Sequence, residues 1–145
     1  MLDVGAGIGA LTAPLIGTGA RVIAVEWHAA RANQLRDRFA GDRLVVVRAD
    51  ASDLRLPRRP FRVVANPPFA ITSALVRRLL APGSRLLRAD LVLQTAAARR
   101  IADARVRGAG RWIEHFDARI DRPVPRSAFR PRAPFDCAVL VIRRR

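Results

Sequence analysis

The chain has no lysine and no tyrosine, and only one cysteine and one methionine among its 145 residues. A single thiol, Cys137, excludes an internal disulfide and fits a reducing compartment, so a cytoplasmic protein is expected. The run after it, Ala138-Val139-Leu140-Val141, is apolar and suits a buried thiol, because reactive thiols need partly exposed, electropositive surroundings. His28 and His115 have no partners at metal or triad spacing, so both are read as surface residues and no metal site is expected. No apolar run approaches the roughly 20 residues that span a bilayer. A secretory signal is not expected, since the first residues read directly as a strand and a glycine loop. Residues 1–145 suit one domain: long enough for a single core, short for two.

What is abundant is arginine. All 27 basic residues are Arg, set against 12 acids, for a net charge of +15. A GC-rich coding bias accounts for the missing lysine but not for the imbalance. Residues 1–72 hold ten Arg against six acids, and residues 73–145 hold seventeen against six. A polyanionic partner, nucleic acid above all, is the natural inference. Such binding should be steeply salt-dependent through counterion release.

Strand-like runs alternate with helical stretches. Met1–Val4, Val22–Glu26, Leu44–Arg48, Phe61–Ala65 and Leu91–Gln94 are short, apolar and rich in β-branched residues or Leu. Between them Gly9–Gly17, Ala29–Phe39, Ile71–Leu80 and Thr95–Val106 have helical spacing, the third stopped by Pro82-Gly83. This alternation predicts an α/β fold with βαβ units and a parallel sheet. After about residue 108 the pattern changes: Arg111–Ile120 and Cys137–Arg143 read as strands joined by a proline-rich stretch, without a helical crossover. They should pair antiparallel. Seven strands ending in such a hairpin describe a Rossmann-like methyltransferase sheet better than a dinucleotide dehydrogenase.

Two motifs carry chemistry. Asp3-Val4-Gly5-Ala6-Gly7-Ile8-Gly9 follows a strand and opens a helix, the context of a ligand-binding glycine loop. Its spacing fits S-adenosylmethionine, a nucleotide cofactor or a plain structural turn; Asp3, Gly5, Ala6 and Gly7 are its candidate cofactor residues. Glu26, 21 residues after Gly5 at the end of the second strand, is placed to accept from ribose hydroxyls. Trp27 is either a face for adenine or a core residue. Asp50 ends the third strand, followed by Ala51, where a carboxylate can accept from the adenine amine; Asp53 is read as an exposed or helix-capping acid.

The second motif, Asn66-Pro67-Pro68-Phe69, closes the fourth strand. The prolines stiffen the strand end and leave their carbonyls free. The side-chain oxygen of Asn66 and the carbonyl of Pro67 can each accept one N–H of an adenine N6 amine. That turns the conjugated lone pair toward an incoming methyl group, by orientation and electrostatics rather than a tuned base. Phe69 can stack on the base once it has left its helix or loop; its structural alternative is core.

Together Asp3 to Thr12, Glu26, Asp50 and Asn66 to Phe69 resemble the ribosomal RNA adenine N6-methyltransferases, and Pro125 to Val139 is similar to that family's proline-rich signature before the last strand. The resemblance spans nearly the whole chain. It implies S-adenosylmethionine as cofactor, ribosomal RNA as partner, no membrane association and a monomer. Asn66-Pro67-Pro68-Phe69 looks more like the erythromycin-resistance branch of actinobacteria, which modifies large-subunit (23S) RNA and blocks macrolide, lincosamide and streptogramin B binding, than like the small-subunit branch. By its place in the signature, Phe129 is implied as a second aromatic beside the flipped adenine, or else a core residue. The motif alone would also suit DNA adenine or protein-glutamine methylases. The family's N-terminal segment and C-terminal helical domain have no counterpart here, and Met1 falls inside the first strand. A displaced start codon or a fragment is therefore expected, with an inactive RNA-binding remnant as the alternative to an active enzyme.

Overall fold

The computed structural model of the chain describes residues 1–103 and 114–145. Seven strands, β1 (Leu2–Val4), β2 (Val22–Val25), β3 (Leu44–Val47), β4 (Phe61–Ala65), β5 (Leu86–Gln94), β6 (Phe116–Val124) and β7 (Cys137–Arg144), form one sheet in the order β3-β2-β1-β4-β5-β7-β6. The pairings from β3 through to β5 are parallel, and β7 runs antiparallel between β5 and β6. Among the described residues four α-helices, α1 (Thr12–Gly17), α2 (Ala29–Arg38), α3 (Thr72–Leu79) and α4 (Thr95–Ala102), lie in the connections. The α/β class and the antiparallel C-terminal hairpin are as the sequence predicts.

Central β1 is buried throughout, with β4 on one side and β2 on the other. From β1 the chain winds outward through β2 and β3, then returns to wind the other way through β4 and β5. Right-handed crossovers put the helices of the two halves on opposite faces. The core divides accordingly. A large cluster joins Leu75, Val76 and Leu79 of α3 and Ala98 and Ile101 of α4 to Val63, Leu91 and Leu140. A smaller one joins Leu35 of α2 to Ala6 and Ala24.

Three elements start three or more residues away from the sequence reading. α1 starts at Thr12, not Gly9, because Gly9 sits at φ +96°, outside the right-handed helical region. β5 starts at Leu86 rather than Leu91: Arg88 and Asp90 sit two apart on one strand face and hold each other at 2.6–2.7 Å, which hides the apolar pattern. β6 runs Phe116–Val124 instead of Arg111–Ile120; Pro123 is tolerated because β6 is the sheet edge. Residues 111–113 of that expected strand, and 104–106 of the expected fourth helix, lie outside the described residues. Cys137 is buried, as expected, and burial raises its thiol pKa. Among the described residues no helix is long and apolar enough to cross a membrane.

Candidate active site

The winding reverses between β1 and β4, and loops diverge at the carboxyl ends of those two strands. In open α/β sheets ligands bind at such a switch point. A cleft of about 580 Å³ opens there. Gly5, Gly7 and Glu26 stand on one wall and Asn66, Pro67, Pro68 and Phe69 on another, with Phe129 and Pro131–Pro134 closing a third.

The glycine loop is built by backbone conformations that side chains oppose. Gly5 lies at φ +75° and Gly7 at φ +59°. The N–H groups of Gly5 and Ala6 both donate to the carbonyl of Val25, at 2.9 and 3.1 Å, tying the loop to the end of β2. A Cβ on Gly5 would come 3.4 Å from Pro68 Cδ and 3.6 Å from Pro67 Cα. The glycine loop and the Asn-Pro-Pro corner therefore touch, and the two motifs form one site. A Cβ on Gly7 would meet nothing within 4 Å, which is open cleft.

The carboxylates divide the work. Glu26 is buried; its Oε2 accepts from the Gly7 N–H and its Oε1 from the His28 N–H, each at 2.8 Å. A carboxylate offers about four lone-pair directions, so about two remain for a ligand in the cleft. Asp50 caps a 3-10 turn over Ala51–Asp53 with Oδ1, which accepts from the Ser52 N–H at 2.8 Å and its hydroxyl at 2.7 Å. Those bonds hold Asp50 below the usual carboxylate range. Asp53, read as exposed or helix-capping, is exposed; the cap is Asp50, whose Oδ2 has no protein partner among the described residues.

Asp3 and Ala6 are not on the cleft wall. Ala6 is packed with Ala24 and Leu35. Asp3 lies behind the loop, 1% exposed, and its Oδ2 accepts from the Thr12 hydroxyl at 2.6 Å, anchoring α1 to β1. Among the described residues Asp3 Oδ1 is the buried side-chain polar atom left without a partner. Burial pushes this carboxyl up to about 6; the Thr12 bond opposes the rise and the charge of Glu26 adds to it.

The aromatic residues resolve their alternatives. Trp27 is 66% exposed and lines the cleft, so it is not core. Phe69, 38% exposed, stands at the cleft edge-on to Phe135, with centroids 5.6 Å apart and planes at 78°. Phe129, partly buried, faces the same cleft. The Asn66 side chain makes no protein hydrogen bond among the described residues, and its residue is exposed. Sequence reasoning missed Arg31 and Arg132, two cations on the cleft wall, and the partner ring Phe135. Arg31 follows from the start of α2 at Ala29; Arg132 and Phe135 lie in the segment that leads into β7, which pairs antiparallel with β5. His28, read as a surface residue, is exposed but lines the cleft. Among the described residues no cluster of His, Cys, Asp or Glu is arranged to hold a metal ion.

Known proteins resemble this chain in sequence and fold. The family model described as ribosomal RNA adenine dimethylase matches residues 1–145. An rRNA adenine N-6-methyltransferase of Corynebacterium diphtheriae is 37% identical over 99% of this chain and 57% of its own length. The ribosomal RNA small subunit methyltransferase A of Anaeromyxobacter dehalogenans is 33% identical over 97% of this chain and 56% of its own length. The crystal structure of the 23S rRNA methyltransferase ErmE superposes with a TM-score of 0.89 at 30% identity, covering 99% of this chain and 60% of that one. The chain thus spans a little over half the length of these relatives. With the family model matched from end to end, this chain belongs to the ribosomal RNA adenine dimethylase family.

Proposed function

We propose that the protein transfers a methyl group from S-adenosylmethionine to the N6 amine of an adenine in 23S ribosomal RNA, acting as a cytoplasmic monomer, and thereby confers macrolide, lincosamide and streptogramin B resistance. The observation that carries this reading is the contact between Gly5 and the Asn66–Pro68 corner, which joins a ribose-type acceptor and an amine-type acceptor in one cleft. The residues fit the cofactor. Glu26 has lone pairs left for ribose hydroxyls, Asp50 Oδ2 is free for an adenine amine, and Trp27 offers an exposed face.

When bound, S-adenosylmethionine supplies an electrophilic methyl group. The chain's own part is to hold the target nitrogen. Asn66 Oδ1 and the Pro67 carbonyl each accept one N–H, which draws the amine toward tetrahedral geometry and frees its lone pair. Phe69 and Phe129 give the extruded base two aromatic surfaces; stacking of this kind is worth roughly 1–3 kcal/mol per base. Orientation and fixed dipoles carry the step.

Large-subunit RNA is favoured by the Asn-Pro-Pro-Phe corner and by the 30% identity to ErmE. The small-subunit relative at 33% identity supports 16S RNA as a second reading. Methyl-labelled S-adenosylmethionine offered in parallel to naked 23S RNA, 16S RNA, DNA and protein separates them. Label in 23S RNA is expected. Label confined to 16S RNA would move the assignment, label in DNA or protein would overturn it, and RNA binding without any label would mark a silent remnant.

A further inference from the structure

The end of the sheet opposite the cleft carries a charge pattern that methyl transfer does not use. From Leu54 to Ala89 the chain has eight arginines and no acid, between Asp53 and Asp90. At the chain-wide frequency of 12 acids in 145 residues, about three would fall in such a stretch. A GC-rich coding bias enriches arginine but does not remove aspartate and glutamate, so this exclusion has a physical meaning.

The fold gathers part of the stretch around a second hollow, of about 480 Å³, between the loops that lead into β4 and β5. Arg58, Arg78, Arg85 and Ser84 line it. Two guanidiniums are held in place. Arg78 Nε donates to the Leu54 carbonyl at 2.8 Å, and Arg144, outside the lining, donates from Nε to the Leu86 carbonyl at 2.9 Å and from Nη2 to the carbonyl of Ser84, a lining residue. Asp53 lies 3.9 Å from Arg78 and is 93% exposed, a pairing worth little in water. Arg58 and Arg85 are exposed, and their side chains have no protein partner among the described residues. Like charges brought together without acids repel; a polyanion bound across them reverses the sign of that interaction.

We propose that this hollow is a phosphate-binding site for the RNA backbone, a second contact remote from the target-base cleft. It lies at the amino ends of β4 and β5, while the cleft lies at the carboxyl ends of β1 and β4. The two are thus separated by at least the length of β4, five residues at about 3.3 Å each, or roughly 16 Å. An RNA that reaches both presents a folded segment around the sheet, not only the strand that holds the adenine. Arg78 and Arg144 are preorganised, so little order is lost when phosphate arrives, and Arg58 and Arg85 close over it. The inference rests on the proposed function only for the identity of the polyanion.

The test is RNA binding by the full chain, as a function of salt, with naked 23S RNA as probe. Each lost phosphate contact lowers the slope of log K against log salt by about 1. Arg58→Ser with Arg85→Ser should lower it by about 2, with S-adenosylmethionine affinity unchanged, and Arg58→Lys with Arg85→Lys should restore most of it. Arg21→Ser with Arg43→Ser removes the same charge from exposed positions elsewhere and should change the slope by less than 1. Equal losses in the two serine pairs, or no loss in either, would overturn the site. If inorganic phosphate binding is lost in Arg58→Ser/Arg85→Ser while RNA binding is not, the hollow takes a free phosphate and the RNA assignment is wrong. Loss of all RNA binding in the wild type would instead remove the proposed function, a distinguishable outcome.

Discussion

The buried carboxyl of Asp3 makes the stability of the protein depend on pH in a direction opposite to that of a salt-bridged acid. Its ordinary value of 3.8 is raised to about 6 in the fold. Below about pH 4 the group is protonated in both folded and unfolded chains and has no effect. Between the two values the unfolded chain releases its proton and the folded chain keeps it. Above about pH 6 the folded chain carries a buried charge with only Thr12 to satisfy it. The stability present at low pH is therefore lost as pH rises through 6. At about 1.4 kcal/mol per unit, the loss is on the order of 3 kcal/mol, a sizeable part of the 5–15 kcal/mol typical of a domain. Asp3→Asn keeps an acceptor for the Thr12 hydroxyl and removes the charge. Urea unfolding of ligand-free protein at pH 3.5, 4.5, 5.5 and 7.5 should show the variant nearly equal to wild type at the lowest pH and more stable by about 3 kcal/mol at the highest. A constant difference across that range would refute the argument.

Other outcomes follow from the same geometry. Asn66→Ala should lower kcat by at least about a hundredfold, the scale of losing one transition-state hydrogen-bonding group, with S-adenosylmethionine affinity by calorimetry unchanged; a kcat within a few-fold of wild type would remove the acceptor role. Glu26→Gln puts an amide NH2 against the N–H of Gly7 or His28. Such a mismatch costs about 1–3 kcal/mol, so the cofactor Kd should rise roughly tenfold or more, and an unchanged Kd would count against the ribose contact. Gly9→Ala forces a side chain to φ +96° and sets its Cβ 2.7 Å from Phe39 Cε2. Backbone strain and overpacking together should destabilise by about 2–4 kcal/mol in thermal or urea unfolding; a neutral result would mean that Phe39 swings away freely.

Most strands were legible because buried parallel strands read as continuous apolar runs. Val22–Val25 and Phe61–Ala65 stand out for that reason. Where a strand carries its own ion pair, as β5 does with Arg88 and Asp90, or lies at an edge with Pro123 in it, as β6 does, the apolar run is broken and its bounds shift. Glu26, Asp50 and Asn66, which line the cleft, could be singled out because each lies just past the carboxyl end of a parallel strand. Arg31, Arg132 and Phe135 were not, since no local pattern distinguishes a cleft arginine or ring from a surface one.

The sequence by itself determined the chemistry of this protein: a glycine loop that only φ > 0 residues can form, acids at strand ends, and a rigid amide-proline corner. These are local properties, decided by one or a few adjacent residues. Only the tertiary structure decided how they meet. The reversal of winding at β1 and β4 sets Gly5 against Pro67 and Pro68, and places Asp3 behind the loop rather than in the cleft. The antiparallel return of β7 accompanies the placement of Phe129 and Arg132 across from Glu26, more than a hundred residues away in the chain. Burial, which raises Asp3 and leaves its Oδ1 without a partner, is a sum over many distant neighbours, and no local run of residues encodes it.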